Sequence, residues 1–300
     1  MSYNIALPIL LLILLVGGRI SAQQQVYSYS QYADNLTPVN SAYAMLDKSG
    51  FVSALGHRQF IGIEDAPSSL MFTGSLPITP IHASAGIYLL NDRTPLVRQL
   101  EINTFFAKSI QITSNQYLSI GVNAGMRNYA SNYSALDPSD PEFMTDVHDT
   151  KPNIGFSMMY YSDRFYLGLS APQLTFGNPE TAFAQQTNPL KSPYFFSGAF
   201  LAVLSDEVKL KPAVLVSYVK NTPIAGSFSG TLYIKETFGI GAYYNSDKVI
   251  AGTVSVTFSN FKIGYSYATG ISYNTRNLNN ARNEIGLSYR FGSERSPKLL

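Results

Sequence analysis

Glu284-Ile285-Gly286-Leu287-Ser288-Tyr289-Arg290-Phe291 alternates without a break. Ile285, Leu287, Tyr289 and Phe291 fall on one face; Glu284, Gly286, Ser288 and Arg290 fall on the other. Successive side chains of an extended strand point to opposite sides, so this stretch is greasy on one side and polar or small on the other. The same period runs back along the chain. Phe261, Ile263, Tyr265 and Tyr267 oppose Lys262, Gly264, Ser266 and Ala268. Leu118, Ile120, Val122, Ala124 and Met126 oppose Ser119, Gly121, Asn123, Gly125 and Arg127. Phe165, Leu167, Leu169 and Ala171 oppose Tyr166, Gly168 and Ser170, and Val208, Leu210, Val214 and Val216 oppose Lys209, Lys211 and Ser217.

Such strands build either a soluble sandwich, with the apolar face inward, or a transmembrane barrel, with the apolar face toward lipid and the polar face toward a lumen. Length and count favour the second. Segments recur near 50–60, 68–77, 82–91, 99–111, 116–128, 152–161, 164–172, 193–204, 207–219, 225–234, 237–245, 248–258, 260–269 and 283–292, about fourteen in all. Membrane strands need about 9 to 11 residues, whereas soluble strands favour about 5 to 6. Loop lengths sort as well. The connections Ile78 to Ile81, Thr113 to Asn115, Ser162-Asp163, Ser205-Asp206, Lys235-Glu236 and Ser259 are short. Tyr129 to Lys151, Gln173 to Ser192 and Gly270 to Arg282, all at the opposite end, are long. Bacterial outer-membrane barrels have short periplasmic turns and long extracellular loops, and a sandwich has no reason to sort its loops so. The expected fold is all-β: an antiparallel transmembrane β-barrel of about 14 strands.

Composition agrees. Charged residues make up 13% of 300, about half the usual share, yet mean hydropathy is only +0.01. A chain 45% apolar with net charge +2 is not disordered. Without Cys there is no disulfide scaffold or thiolate metal site. Twenty-one basic against 19 acidic residues is no nucleic-acid footprint. The 21 Tyr and 18 Phe suit a lipid–water interface, and Tyr88, Tyr117, Tyr160, Tyr161, Tyr166, Tyr218, Tyr243, Tyr244 and Tyr289 are read as girdle residues.

The chain divides into four parts. Ile5 to Val16 is apolar throughout, with Pro8 inside it, and falls short of the roughly 20 residues a membrane helix needs. Gly17-Gly18 breaks it and Ile20-Ser21-Ala22 offers a small-residue cleavage site, so residues 1–22 read as a secretory signal peptide, although the n-region carries no Lys or Arg. Residues 23–45, rich in Asn, Gln and Tyr, precede the first strand and are a candidate plug or periplasmic contact. The barrel spans 46–292, and 293–300 form a short tail.

Two resemblances rest on particular residues. Glu284 to Phe291 resembles the terminal-strand signal by which the outer-membrane insertion machinery recognises barrels. Gln31-Tyr32-Ala33-Asp34-Asn35-Leu36-Thr37-Pro38-Val39-Asn40-Ser41-Ala42-Tyr43-Ala44-Met45 resembles the N-terminal motif of the PorP/SprF family, with Asn35-Leu36 and Asn40-Ser41 where that family has Asn-Pro pairs and Met45 where it has Gly. His57-Arg58-Gln59-Phe60 through Ala66-Pro67, with Phe where Trp is usual, Tyr160 to Pro172, Gly264-Tyr265-Ser266-Tyr267 and Glu284 to Phe291 agree in order and spacing. The likeness covers about residues 26–292. It implies an outer-membrane barrel of the type IX secretion system that helps export or surface retention of a cargo, typically an adhesin with a C-terminal secretion domain, by binding the cargo or other translocon components. Gliding motility is one setting the family implies.

Catalytic chemistry is thin. His57, His82 and His148 lie apart with no metal-ligand spacing, and Asp137, Asp140 and Glu142 lack the calcium-loop pattern. No nucleophile elbow or phosphate loop is present, so no enzyme, metal or cofactor is expected. Charges inside strands are more informative. Glu101, Arg127, Lys209, Lys211, Lys262, Glu284 and Arg290 oppose apolar faces and should point into the lumen, where charges at membrane depth pair. With Gln31, Tyr32, Asn35, Asn40, Ala42 and Tyr43 they are the candidate lumen or partner contacts. A mostly plugged lumen is expected. The competing reading is a channel or porin for small or hydrophobic solutes.

Overall fold

The computed structural model describes residues 29–47, 49–60, 63, 65–132, 134, 146–175, 191–271 and 281–292. The proposed signal peptide and tail, and Asp137, Asp140 and Glu142, lie outside them. Among these described residues fifteen strands succeed one another: β1 (Gly50–Gln59), β2 (Ser68–Ile78), β3 (Ala83–Arg93), β4 (Val97–Thr113), β5 (Gln116–Ser131), β6 (Val147–Ser162), β7 (Phe165–Thr175), β8 (Pro193–Phe200), β9 (Ala202–Val203), β10 (Val208–Val219), β11 (Ala225–Ile234), β12 (Phe238–Asn245), β13 (Val249–Phe258), β14 (Phe261–Gly270) and β15 (Arg282–Phe291). β9 continues the line of β8 past Leu201, and both pair with β10. The wall therefore has fourteen antiparallel staves, each beside its neighbour in sequence.

The ring closes where β15 meets β1, from Gly50 opposite Phe291 to Gln59 opposite Arg282. Closure leaves no unpaired sheet edge, the condition for a sheet to stand in lipid. The alternating stretch Glu284 to Phe291 is thus one side of the barrel's seam.

The outward faces are those the period assigned. Ile285, Leu287, Tyr289, Ile263, Tyr265, Tyr267, Ile120, Val122, Met126, Leu167 and Leu169 are all exposed on the protein and form the lipid-facing band. At the short-turn end, which the sorting of loop lengths makes periplasmic, Tyr160 meets Phe165 and Phe261 meets Tyr289 at ring-centroid distances of 5.6 and 4.6 Å. At the other end Tyr194 meets Tyr218 at 6.4 Å. The girdle assignment needs correction for five of its nine tyrosines. Tyr88, Tyr161, Tyr166 and Tyr243 are buried inside the barrel, and Tyr117 stacks on Tyr161. Their period places them opposite the apolar face, so they pack the interior; Tyr160, Tyr218, Tyr244 and Tyr289 face outward.

The ladder between β6 and β7 carries an irregularity. Phe156 pairs with Ala171 and Ile154 with Leu174, so Pro172 and Gln173 together oppose Gly155. That is a bulge, and Pro172, which has no N–H to give a ladder, sits in it.

Residues 29–47 lie within the ring. They make two short 3-10 turns, Tyr32–Asp34 and Ser41–Met45. Tyr29, Tyr32, Leu36, Val39 and Leu46 pack with inward residues of the wall, among them Leu55, Met71, Leu90, Met159, Phe195 and Leu215, into one buried cluster. The hydrophobic core of this barrel is therefore in its lumen, and burying these side chains contributes roughly 1.5–3 kcal/mol each.

Candidate functional site

The interior has two sets of polar contacts, and the strands fix both. The first runs between strands β4 to β7 toward the extracellular end. Arg127 and Glu101 face each other across the β4–β5 ladder, with Nε 3.6 Å from Oε2 and both side chains fully buried. Asn103 donates to Glu101 Oε1 at 2.7 Å, Gln173 donates to Oε2, and Arg127 Nη1 donates to Thr175 Oγ1 at 2.9 Å. Asn123 donates to the Tyr88 hydroxyl and to the Pro172 carbonyl, and Asn153 donates to Asn103 Oδ1. A buried ion pair is tolerated when its remaining lone pairs are answered in this way.

The second set joins the wall to residues 29–47. Glu284 is its densest point. Its carboxylate accepts from the Ser30 amide at 3.0 Å and the Ser30 hydroxyl at 2.7 Å, from the Gln31 amide at 3.3 Å and from Ser266 at 3.2 Å. His57 Nδ1 stands 3.1 Å from its other oxygen. Nearer the periplasmic end, Lys262 donates to Asp34 Oδ1 at 2.7 Å and Lys211 donates to the Ala33 carbonyl at 2.9 Å. At the rim Arg290 Nε donates to Asp47 Oδ2 at 2.8 Å. Lys209 pairs instead with Glu236 in the β11–β12 turn. Asp34 is half-buried. Burial pushes its carboxyl up, but the Lys262 and Lys211 ammonium groups outweigh that and hold it below the ordinary carboxylate range.

Neutral contacts finish the fit. Asn35 donates to Ser53 and Thr73 on β1 and β2, and Asn40 reaches the Met158 and Leu169 carbonyls. The Ala42 amide donates to Ser157 Oγ, Ser119 donates to the Ala42 carbonyl, and Tyr161 donates to the Met45 carbonyl. Ser229 donates to the Tyr32 hydroxyl, and Tyr43 packs edge-on against Tyr166. The segment lies against bare backbone where wall positions are glycine. A Cβ on Gly168 would stand 2.7 Å from Asn40 Nδ2, and one on Gly121 would stand 2.7 Å from the Ala42 amide nitrogen.

Every candidate residue therefore lies in or at the mouth of the lumen. Gln31, Tyr32, Asn35, Asn40, Ala42, Tyr43, Lys211, Lys262, Glu284 and Arg290 meet along the N-terminal segment, Glu101 and Arg127 meet each other, and Lys209 joins neither group. The sequence does not single out Asp34 and Asp47, the acids that answer the wall's cations, or His57 as a partner of Glu284. Asp34 had a signal, since it sits inside the Gln31–Met45 motif. Asn103, Asn123, Asn153 and Gln173 had none beyond lying on or near polar faces. Among the described residues no group of His, Asp and Glu is placed to hold a metal.

Among solved structures, the TodX monoaromatic hydrocarbon channel in a deltaS2S3 mutant form is similar with a TM-score of 0.50 at 11% identity, over 85% of this chain and 94% of that one. A deltaS2 mutant of the same channel gives 0.50 at 9% identity, over 88% and 95%. The outer membrane protein Omp33 of Acinetobacter baumannii gives 0.47 at 7% identity, over 81% and 99%. At such identities the TodX likeness speaks for the fold, an outer-membrane barrel. No curated protein sequence matches the chain. A family profile does: that of the type IX secretion system membrane protein PorP/SprF matches residues 21–289, nearly the whole barrel and the segment inside it, and the chain belongs to that family.

Proposed function

We propose that this barrel is a non-enzymatic accessory protein of type IX secretion that helps export or surface retention of one partner, an adhesin or other cargo bearing a C-terminal secretion domain, by binding that cargo or the translocon. The observation that carries the reading is the family match over residues 21–289. The occupied lumen supports it: a barrel whose interior is packed by its own N-terminal segment is built to bind at its mouths rather than to pass solutes. Residues 23–45 act in this reading as the plug. Deleting the gene should strip one surface protein from the cell, read by comparing surface proteomes. Normal surface display of every such cargo in the deletion strain would end the proposal.

The TodX likeness favours one other reading, a channel for small or hydrophobic solutes. It predicts conductance or solute uptake in vesicles containing the intact chain. The packed segment argues for a closed barrel in that assay.

A further inference from the structure

Part of the wall's recognition of residues 29–47 is directed at their backbone. Glu284 takes the Ser30 and Gln31 amides, Lys211 the Ala33 carbonyl, Ser157 and Ser119 the Ala42 amide and carbonyl, and Tyr161 the Met45 carbonyl. Groups that bind backbone accept any chain of the same course. Sequence enters through the buried apolar side chains, the Asn35 and Asn40 amides, and charge. Lys211, Lys262 and Arg290, together with Lys209, are the charged inward strand residues near the periplasmic end, and among the described strand residues there no acid faces inward. The acids at this end sit in the turns, Asp163, Asp206, Glu207 and Glu236, of which Glu236 is taken by Lys209 and Glu207 by Lys235. Asp34 and Asp47 of the segment supply the missing negative charge inside.

The segment is also not woven into the wall. It belongs to no ladder, and among the described residues its covalent link to the wall is through β1, which starts at Gly50 at the periplasmic rim. From there it runs inward to Ser30 at Glu284, which lies near the extracellular end of β15. It can withdraw toward the periplasm without breaking a strand pair.

We propose that the lumen, through the cations of its periplasmic half, is a receptor site for an acidic peptide, and that residues 29–47 are a built-in ligand which such a peptide from a partner replaces. Lys262 and Arg290 take the incoming carboxylates, and the backbone-directed groups hold the rest. The inference rests on the partner-binding reading above and names its site and chemistry.

The test uses the full chain in detergent and a fluorescent synthetic peptide with the sequence Tyr29–Ser49. In the Asp34→Asn/Asp47→Asn chain, whose resident segment has lost both carboxylates, the peptide should bind at least roughly tenfold more tightly than to the unaltered chain. On binding, the resident segment should become open to chymotrypsin. Adding Lys262→Gln to that chain should remove most of the gain. Binding no tighter than to the unaltered chain, or equal binding by a peptide carrying both Asp→Asn changes, overturns the proposal. If the double variant loses the heat-modifiable migration of a folded barrel, the Asp47→Asn chain, altered only at the exposed rim, takes its place with the same two readouts. A chain carrying Lys262→Gln and Arg290→Gln that still displays its surface partner, where gene deletion does not, would sink this inference and leave the partner-binding reading standing.

Discussion

Two arcs of the wall hold their buried charges in different ways. From β4 to β7, Glu101 and Arg127 answer each other and are ringed by Asn103, Gln173 and Thr175, so the contacts run from strand to strand. From β10 round to β15, Lys211, Lys262, Glu284 and Arg290 all reach the N-terminal segment. The first arc is completed by the ladder that makes the barrel. The second is completed only when the segment is in place. One lumen thus contains a permanent scaffold and a dockable surface, and the same residue types serve both.

Breaking the first arc should cost the most. Arg127→Met leaves the fully buried Glu101 without its ion partner, and removing one member of a buried pair costs about 3–5 kcal/mol. Thermal unfolding of the detergent-folded barrel should fall sharply, while residues 29–47 stay protected from protease until the barrel itself opens. Glu284→Gln attacks the second arc. It removes the charge that four donors and His57 address, at about 1.5–3 kcal/mol. Here the order should reverse: the segment becomes cleavable near Tyr29 well below the unfolding temperature. Loss of the segment and the barrel together would erase the distinction between the arcs.

Two glycines sharpen it. Gly168→Ala pushes a methyl against Asn40 and should cost about 1–3 kcal/mol. Gly252→Ala, on the lipid face with open space around it, should be within about 0.5 kcal/mol of neutral. The smallest effect belongs to acid. Asp34 is held below its ordinary range, so its pairing with Lys262 stabilises the docked segment above the unfolded carboxylate value of about 3.9. That contribution fades as pH falls through the lower docked value. Protease protection of residues 29–47 should therefore weaken on acidification in the unaltered chain and show less dependence in Asp34→Asn.

The strands were legible because lipid on one side and a lumen on the other impose period two on every stave. All fourteen expected segments are strands, and their edges err where that constraint stops. β6 begins at Val147 rather than near 152, because Val147 to Lys151 pair with β5 where the ladder continues past the apolar stretch. Gln173 shows a different limit. Counting by twos from Phe165 through Ala171 puts it on the lipid face, yet it is fully buried inside. The bulge at Pro172 adds one residue and reverses the face of the residues after it. Inward charges were readable one by one, but their partners were not. Glu101 finds Arg127 through register, and Lys262 finds Asp34 through a segment with no period at all.

The contact between Ser30 and Glu284 spans 254 positions of sequence. The first part of the segment to be synthesised is thus seated by the last strand, and its site does not exist until β15 is in place. Pairings of such separation come late and slowly in folding, because a long loop must close before any contact rewards it. Docking of Ser30 is therefore a clock for assembly. Protection of the N-terminal segment should appear only after the β1–β15 seam has zipped, which makes it a natural reporter of the moment the barrel is finished.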